Sequence, residues 1–372
     1  MIRVACVRCP GYAAVDRAVR RALELLEPGE PLARRGEPLL IKPNLLAPRP
    51  AEAAVTTHPA VVDALLGVAA DLGARPVVAD SPGLASAERV ARACGILEVC
   101  RRHGVPLVDL GRGETVTVSG PVYRDLTLAR EAVEAPRIWN VPKWKTHTMA
   151  GLTLGVKNLF GCVPGRRKVA LHFRAGRSRR TFALHLLDIE AVLRPCLTVL
   201  DGVVAMDGPG PGKGRPLPLG LVLASADAPA LDWVATRLSG FDPADVATVA
   251  LGLESGRVRP DRVRRVGDPA DPARLAPAPG SPADWRLPGP LKRWLRDALS
   301  PAPRIDPALC TGCGACRQAC PAGAISEDDP PSVSQEACIR CYCCQELCPT
   351  GAAHVPRRPL ARWPFRRWLP PG

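Results

Sequence analysis

Eight cysteines near the end of the chain have the type and spacing for redox chemistry. They run Cys310-Thr-Gly-Cys313-Gly-Ala-Cys316-Arg-Gln-Ala-Cys320-Pro321 and repeat as Cys338-Ile-Arg-Cys341-Tyr-Cys-Cys344-Gln-Glu-Leu-Cys348-Pro349. Three thiolates separated by two residues each wrap a tight loop around one face of a 4Fe–4S cubane. The fourth, on the following helical turn, points away toward a second cluster. On that crossed pattern Cys310, Cys313, Cys316 and Cys348 hold one cluster, and Cys338, Cys341, Cys344 and Cys320 hold the other. Pro321 and Pro349 stop each short helix from continuing. A disulfide framework calls for an oxidising compartment and a secretory segment, and neither is expected here. A zinc site would use two C-x-x-C pairs, whereas each run has three cysteines and then a fourth. Cys343 falls outside the spacing and is expected to ligate nothing.

A second group of candidates follows short apolar runs in the first two thirds of the chain: Lys42-Pro-Asn44, Asp80-Ser-Pro-Gly83, Asn140-Val-Pro-Lys143-Trp-Lys145-Thr-His147, Gly155-Val-Lys157-Asn158, and Asp201-Gly through Asp207. Lysines and amides at strand ends suit an anionic ligand, a carboxylate or a phosphate, which assigns binding to Lys42, Asn44, Lys157, Asn158 and Asp201. Lys143, Lys145, His147 and Asp80 are the candidates for proton transfer. Asp80, Asp201 and Asp207 also have the chemistry to hold a divalent cation. The plainer alternative is that these residues cap helices and satisfy turns. From Arg166 to Arg180 seven of fifteen residues are Lys or Arg, which suits a loop closing on an anion as well as a solvated surface. Gly208-Pro-Gly-Pro-Gly212-Lys213-Gly214 lacks the spacing and the Ser or Thr of a phosphate loop, and no early strand is followed by Gly-x-Gly-x-x-Gly. Cys94, Cys100, Cys162 and Cys196 are expected in the core.

The elements that must position these residues alternate. Met1–Arg8, Leu39–Lys42, Arg75–Asp80, Ile138–Val141, Leu197–Leu200 and Leu219–Leu223 are strand-like. His58–Leu72, Ser178–Leu193 and Ala228–Leu238 carry apolar residues at helical spacing. Alternation of this kind predicts an α/β fold, a mostly parallel sheet with helices on both faces, whose ligands bind beyond the carboxyl ends of the strands. A small α+β two-cluster domain follows. The expected organisation is an α/β domain over 1–265, a Pro-rich linker over 266–303 with one helical piece at Leu291–Leu299, a cluster domain over 304–356, and a basic aromatic tail over 357–372.

Composition agrees with a globular protein: 47% hydrophobic, 23% charged, with 42 prolines. No run is long and apolar enough for a membrane helix, and a cytoplasmic location is expected. The net charge of +14 is uneven, −3 over the cysteine segment and +5 in the tail. The tail suits either a membrane surface or the acidic cluster segment. Charge alone is too little to argue a nucleic-acid partner, and none is expected.

Taken together, Lys42-Pro-Asn44, Thr57-His58-Pro59, Asp80-Ser-Pro-Gly83, Val141-Pro-Lys143 with Lys145-Thr-His147, Gly155-Val-Lys157-Asn158 and Asp201-Gly202 resemble the domain-of-unknown-function 362 family. The cysteine runs resemble the bacterial two-cluster ferredoxins that many of its members carry at the C-terminus. The resemblance covers roughly residues 2–255 and 304–356 and implies two 4Fe–4S clusters without implying a reaction. Two functions fit. In one, the protein is an oxidoreductase whose clusters deliver low-potential electrons to a small anionic substrate. In the other, it is an electron-transfer or accessory subunit that docks a redox partner protein.

Overall fold

The computed structural model describes residues 1–27, 31–165, 167–281 and 300–356. Strands β1 (Ile2–Arg8), β2 (Pro38–Pro43), β3 (Arg75–Asp80) and β4 (Leu107–Asp109) alternate with helices α1 (Val15–Leu26), α2 (Pro59–Asp71), α3 (Ala87–Cys94) and α4 (Ile96–Arg102). A side hairpin, β5 (Thr115–Val118) and β6 (Leu126–Ala129), and the turn α5 (Arg130–Val133) precede β7 (Ile138–Val141), β8 (Lys143–His147) and β9 (Gly151–Thr153). Helices α6 (Gly155–Asn158), α7 (Arg167–Ala175) and α8 (Arg179–Leu193) lead to the long strands β10 (Leu197–Asp207) and β11 (Arg215–Ser225). Then come α9 (Ala228–Leu238), α10 (Ala247–Glu254) and β12 (Val263–Gly267). The cysteine segment holds β13 (Arg304–Ile305), α11 (Ala315–Gln318), α12 (Cys343–Leu347) and β14 (Ala353–His354).

Ten strands form the main sheet, in the order β12-β1-β11-β10-β7-β2-β3-β4, with β8 on β10 and β9 on β8. Alternation along each strand sends side chains to opposite faces. Leu39 and Ile41 join α1 to α4 on one face, while Leu40 joins α6 and α8 on the other. The sheet is parallel through β7, β2, β3 and β4, and β11 runs antiparallel between β1 and β10. The expected fold class is therefore met, with a small two-stranded β13–β14 sheet and two short helices in the cysteine segment. His58 caps α2 by accepting from the Ala60 N–H at 3.2 Å, and Pro59 starts the helix where no N–H is needed. Ser178 caps α8 in the same way on Thr181, at 3.1 Å.

Three expectations change. Asp201, expected past a strand end, lies inside β10 at a bulge between Gly202 and Val204. The glycine there leaves room for Trp144, whose ring a Cβ would meet at 2.7 Å. Lys143–His147, also expected past a strand, are a fully buried strand of their own. Val266 and Gly267, expected to open the linker, pair with Ala5 and Cys6 at the sheet edge. The expected helix at Leu291–Leu299 and the tail from Arg357 lie outside the described residues.

Helix α6 presents Lys157 and Asn158, and its start is fixed from α9. Buried Asp232 accepts from the N–H groups of Gly155 at 2.7 Å and Val156 at 3.0 Å. Gly155 permits that approach, since a Cβ would meet Asp232 Oδ1 at 2.9 Å. Asp232→Leu leaves two buried donors unmet and is expected to destabilise the protein by about 2–4 kcal/mol in chemical denaturation, with Asp232→Asn losing less. A loss under about 1 kcal/mol would mean that α6 holds without it.

Candidate functional site

The carboxyl ends of β2 and β3 bring a lysine to an aspartate out of reach of water. Lys42 Nζ lies 2.7 Å from Asp80 Oδ1, with the side chains 0% and 3% exposed. Asp80 also accepts from the backbone N–H of Leu45 at 2.7 Å and of Ser81 at 2.9 Å. Gly161 closes on the pair; a Cβ at that position would fall within 2.5 Å of Lys42 Nζ and closer still to Asp80 Oδ1. From β8, Lys145 donates to Asn44 Oδ1 at 2.6 Å and to the Val55 carbonyl at 2.7 Å. Asn158 donates to the Lys42 carbonyl at 3.3 Å and to Asn140 Oδ1 at 2.8 Å.

Lys42, Asn44, Asp80, Lys145, Asn158 and Gly161 line one cavity of about 410 Å³ together with Lys157, Lys168, Ser81 and His172. Its roof comes from the cysteine segment: Gln318, Cys343, Glu346 and Leu347. Glu346 Oε1 sits 2.6 Å from His147 Nε2, and neither atom has another partner among the described residues. Gln345 accepts from Thr148 at 3.2 Å beside it. Gly83 of the Asp80-Ser-Pro-Gly turn makes room for the roof, since a Cβ would meet Leu347 at 2.8 Å.

Lys143 and Asp201 do not join the cavity. They form a separate buried pair at 2.7 Å, completed by the Tyr12 hydroxyl, which accepts from Lys143 at 2.7 Å and donates to Asp201 at 3.1 Å. Asp201 also accepts from the His58 N–H at 2.9 Å, and Tyr12 stacks on the His58 ring. Asp207 ends β10 and pairs with Arg215 at 3.4 Å. Lys42, Asn44, Asp80, Lys145, Lys157 and Asn158 are thus brought together, and His147 reaches the site through Glu346. Lys168 and His172 come from the basic segment Arg166–Arg180, expected as a loop closing on an anion or as a solvated surface and here partly helical, while Glu346 and Cys343 were not expected in this site. Lys168 and His172 stand four residues apart on α7, one face of a helix, and that spacing inside the basic segment is the signal that could have found them.

Burial sets the electrostatics. It draws Lys143 down against the pull of Asp201, and draws Lys145 well below the ordinary lysine range, with Lys157 adding to it. Lys168, donating to the Ser81 carbonyl at 2.7 Å and hydroxyl at 2.8 Å, falls to about 8 by burial, with Asp80 pulling the other way. His147 falls to about 4 and His172 to about 3, burial first in each, so both rings are neutral near neutral pH. His147 Nδ1 accepts from the Met149 and Ala150 N–H groups at 3.0 and 3.1 Å, which leaves its proton on Nε2, toward Glu346. Burial alone would raise Glu346; His147 and Lys157 outweigh it and hold the carboxylate ionised.

The cysteines divide between two further cavities. One is lined by Cys310, Cys313, Cys316 and Cys348, and a second, tighter one by Cys320, Cys338, Cys341 and Cys344. Cys343 lines neither and opens on the lysine cavity. The backbone repeats with the spacing: Gly312 and Gly314 take φ of +65° and +70°, and Arg340 and Tyr342, at the matching positions, take +57° and +62°. Side chains rarely adopt that conformation, so the second loop holds it under constraint. Among the described residues no three ligand-type side chains converge tightly enough for a single metal ion. Four thiols around a small void suit the body of a cubane better than one point charge.

Residues 39–237 match the family described as "Domain of unknown function (DUF362)", and residues 303–326 match a 4Fe–4S binding domain. The chain is 36% identical over 256 residues to the thylakoid-associated protein sll1697 of Synechocystis sp., covering 67% of this chain and 79% of that protein. Among solved structures, the lactate racemase apoprotein of Thermoanaerobacterium thermosaccharolyticum aligns at 13% identity with a TM-score of 0.42, over 64% of this chain and 57% of that one. Among the described residues no helix is long and apolar enough to cross a membrane.

Gly161→Ala pushes a methyl group into the Lys42–Asp80 pair. Its expected result is a loss of about 1–3 kcal/mol in thermal or chemical unfolding, with the cluster absorbance intact. Wild-type stability would show that the pair can move aside.

Proposed function

The chain belongs to the DUF362 family and carries a 4Fe–4S binding domain, and from that premise we propose that it is an oxidoreductase passing low-potential electrons to a small organic anion held in the lysine cavity. One observation carries the reading. The five-residue helix α12 bears Cys344, a cluster cysteine, and also Cys343, Glu346 and Leu347, which roof the cavity. An electron leaving that cysteine's cluster has the anion as a near neighbour.

In this reading Cys310, Cys313, Cys316 and Cys348 hold one cluster and Cys320, Cys338, Cys341 and Cys344 the other. Each cluster supplies one electron when bound, so the pair matches the two that most organic reductions require. Residues 304–356 are then the cluster-binding unit and 1–265 the substrate-binding unit. Lys157 and Lys145 attract the anion, and Asn44 and the Val55 carbonyl hold Lys145 in aim. Lys168 and Ser81 line the cavity with them, and α12 roofs it. Lys145 and Lys168 are also the groups placed to hand over protons. A redox partner protein supplies the electrons, in a reducing, cytoplasmic compartment suited to free thiols. The accessory-subunit reading draws on the lack of a nicotinamide or flavin fingerprint; a lysine-lined cavity roofed by the cysteine segment argues against it.

Anaerobically purified protein should contain about eight iron and eight sulfide per chain, and Cys343→Ser should leave both unchanged. Four iron would mean a single cluster, and iron lost with Cys343 would mean a different ligand register.

A small dicarboxylate such as isophthalate, fully ionised across the range, should raise the melting temperature at pH 7. Binding should weaken as pH rises through about 8, because the Lys168 ammonium that attracts it is present below that pH and lost above it. An affinity flat from roughly pH 6.5 to 9.5 removes Lys168 from the site. No stabilisation by any organic anion would favour the accessory subunit.

A further inference from the structure

The charges around the lysine cavity do not balance. Lys42, Lys145, Lys157 and Lys168 line it against Asp80 and Glu346. Lys42 is matched by Asp80 at 2.7 Å. The other three lysines have no carboxylate at ion-pair distance among the described residues. Lys145 rests on an amide oxygen and a carbonyl, and Lys168 on the carbonyl and hydroxyl of Ser81. The Lys157 ammonium lines the cavity with no hydrogen bond or ion pair from its side chain among the described residues. Glu346, turned to His147, offsets one of the three. With every lysine protonated, an excess of two positive charges faces the cavity.

Two further observations describe the guest. A large part of the remaining wall is apolar, built from Leu45, Leu46, Leu84, Phe160, Val169 and Leu347, so a bare inorganic ion would leave much of the roughly 410 Å³ unfilled. Three lining residues, Thr153, Asn158 and His172, hold buried polar atoms without a partner: Oγ1, Oδ1 and Nδ1. Such atoms are uncommon in folded proteins and mark places where something else belongs. Asn158 Oδ1 can only accept, so a donor is missing beside it.

We propose that the cavity is matched to an organic dianion with an apolar body, a dicarboxylate or a phosphate monoester, in preference to monoanions and to inorganic phosphate. The proposal rests on the reading of this cavity as an anion site and specifies its charge and shape. Recognition comes from Lys157, Lys145 and Lys168 at the charged groups and from the Leu and Phe wall around the body. A dianion also restores protons to lysines that burial disfavours, so binding draws protons from solution.

The test is anaerobic titration calorimetry on the cluster-loaded, full-length protein at pH 8. Its probes are phenyl phosphate and phenylsuccinate, with benzoate as the aryl monoanion and inorganic phosphate as the dianion without a body. At least one aryl dianion should bind about tenfold or more tighter than both controls, with net proton uptake measured across two buffers. Whichever dianion binds tighter identifies the preferred head group, and either result supports the proposal. Benzoate binding as tightly as the dianions overturns the charge match while leaving an anion site standing. Inorganic phosphate binding as tightly as phenyl phosphate overturns the apolar part. Failure of all four probes overturns both this proposal and the anion-site reading. Lys157→Gln, checked for unchanged iron content and unfolding, lowers the excess to one and should bring dianion-over-monoanion selectivity down to about threefold or less. Selectivity unchanged in that variant would also overturn the charge match.

Discussion

A lysine taken out of water keeps its charge only if something nearby compensates, and the strand ends of this protein are arranged around that constraint. Lys42 has Asp80 and Lys143 has Asp201, both at 2.7 Å and both shielded from solvent. Buried pairs of this kind are poor evidence for stability, because desolvation offsets most of the attraction. What they do here is geometric. Asp80 also ties down the backbone at Leu45 and Ser81, so the turns after β2 and β3 are locked to each other through one carboxylate. Gly161 is the third member, since any side chain there would occupy the space of the pair.

The same constraint explains why the cysteine segment docks where it does. The cavity beyond Lys42 is rich in ammonium groups, and the segment, acidic by three charges, contributes Glu346 to it. Lys157 and His147 hold that carboxylate ionised despite burial. The roof is therefore attracted electrostatically as well as packed. Leu347 over Gly83 and Gln345 beside Thr148 set its height and register. A helix with so many tertiary partners is constrained from both sides, by its cysteines and by the cavity it covers.

Much of the frame could be read from the sequence. The short apolar runs Leu39–Lys42 and Arg75–Asp80 gave strands whose polar ends meet, and apolar residues at helical spacing in His58–Leu72 and Ser178–Leu193 gave helices. Lys42, Asn44, Asp80, Lys145, Lys157 and Asn158 were grouped correctly because they share one structural position, the end or sequel of a strand. Lys143 was grouped with them on the same logic, and here the logic failed. In β8 successive residues alternate faces, but Lys143 and Lys145 share one; what separates them is the Tyr12 and Asp201 that capture the first and the Asn44 that captures the second. Those partners come from other elements, and spacing carries no trace of them. Asp201-Gly202 looked like a turn for a related reason: the glycine serves the Trp144 ring, a contact invisible in a linear pattern. Glu346 looked like a spacer between Cys344 and Cys348, because its role exists only once the two parts dock.

The choice between an enzyme and an electron carrier then turns on what the roof helix is for. A carrier needs its cluster near a surface where a partner can approach. Here the void of Cys310, Cys313, Cys316 and Cys348 includes an exposed cysteine, Cys313, whereas Cys338, Cys341 and Cys344 are buried. The two halves of the repeat therefore differ in exposure: the void of the first reaches solvent at Cys313, and three of the four cysteines around the second are buried. Cys343 itself precedes Cys344 in the chain and lines the lysine cavity. The proposed reductase gives a use to the cavity beside the second half of the repeat, whose walls carry the unpartnered Asn158, Thr153 and His172 atoms; the carrier reading does not.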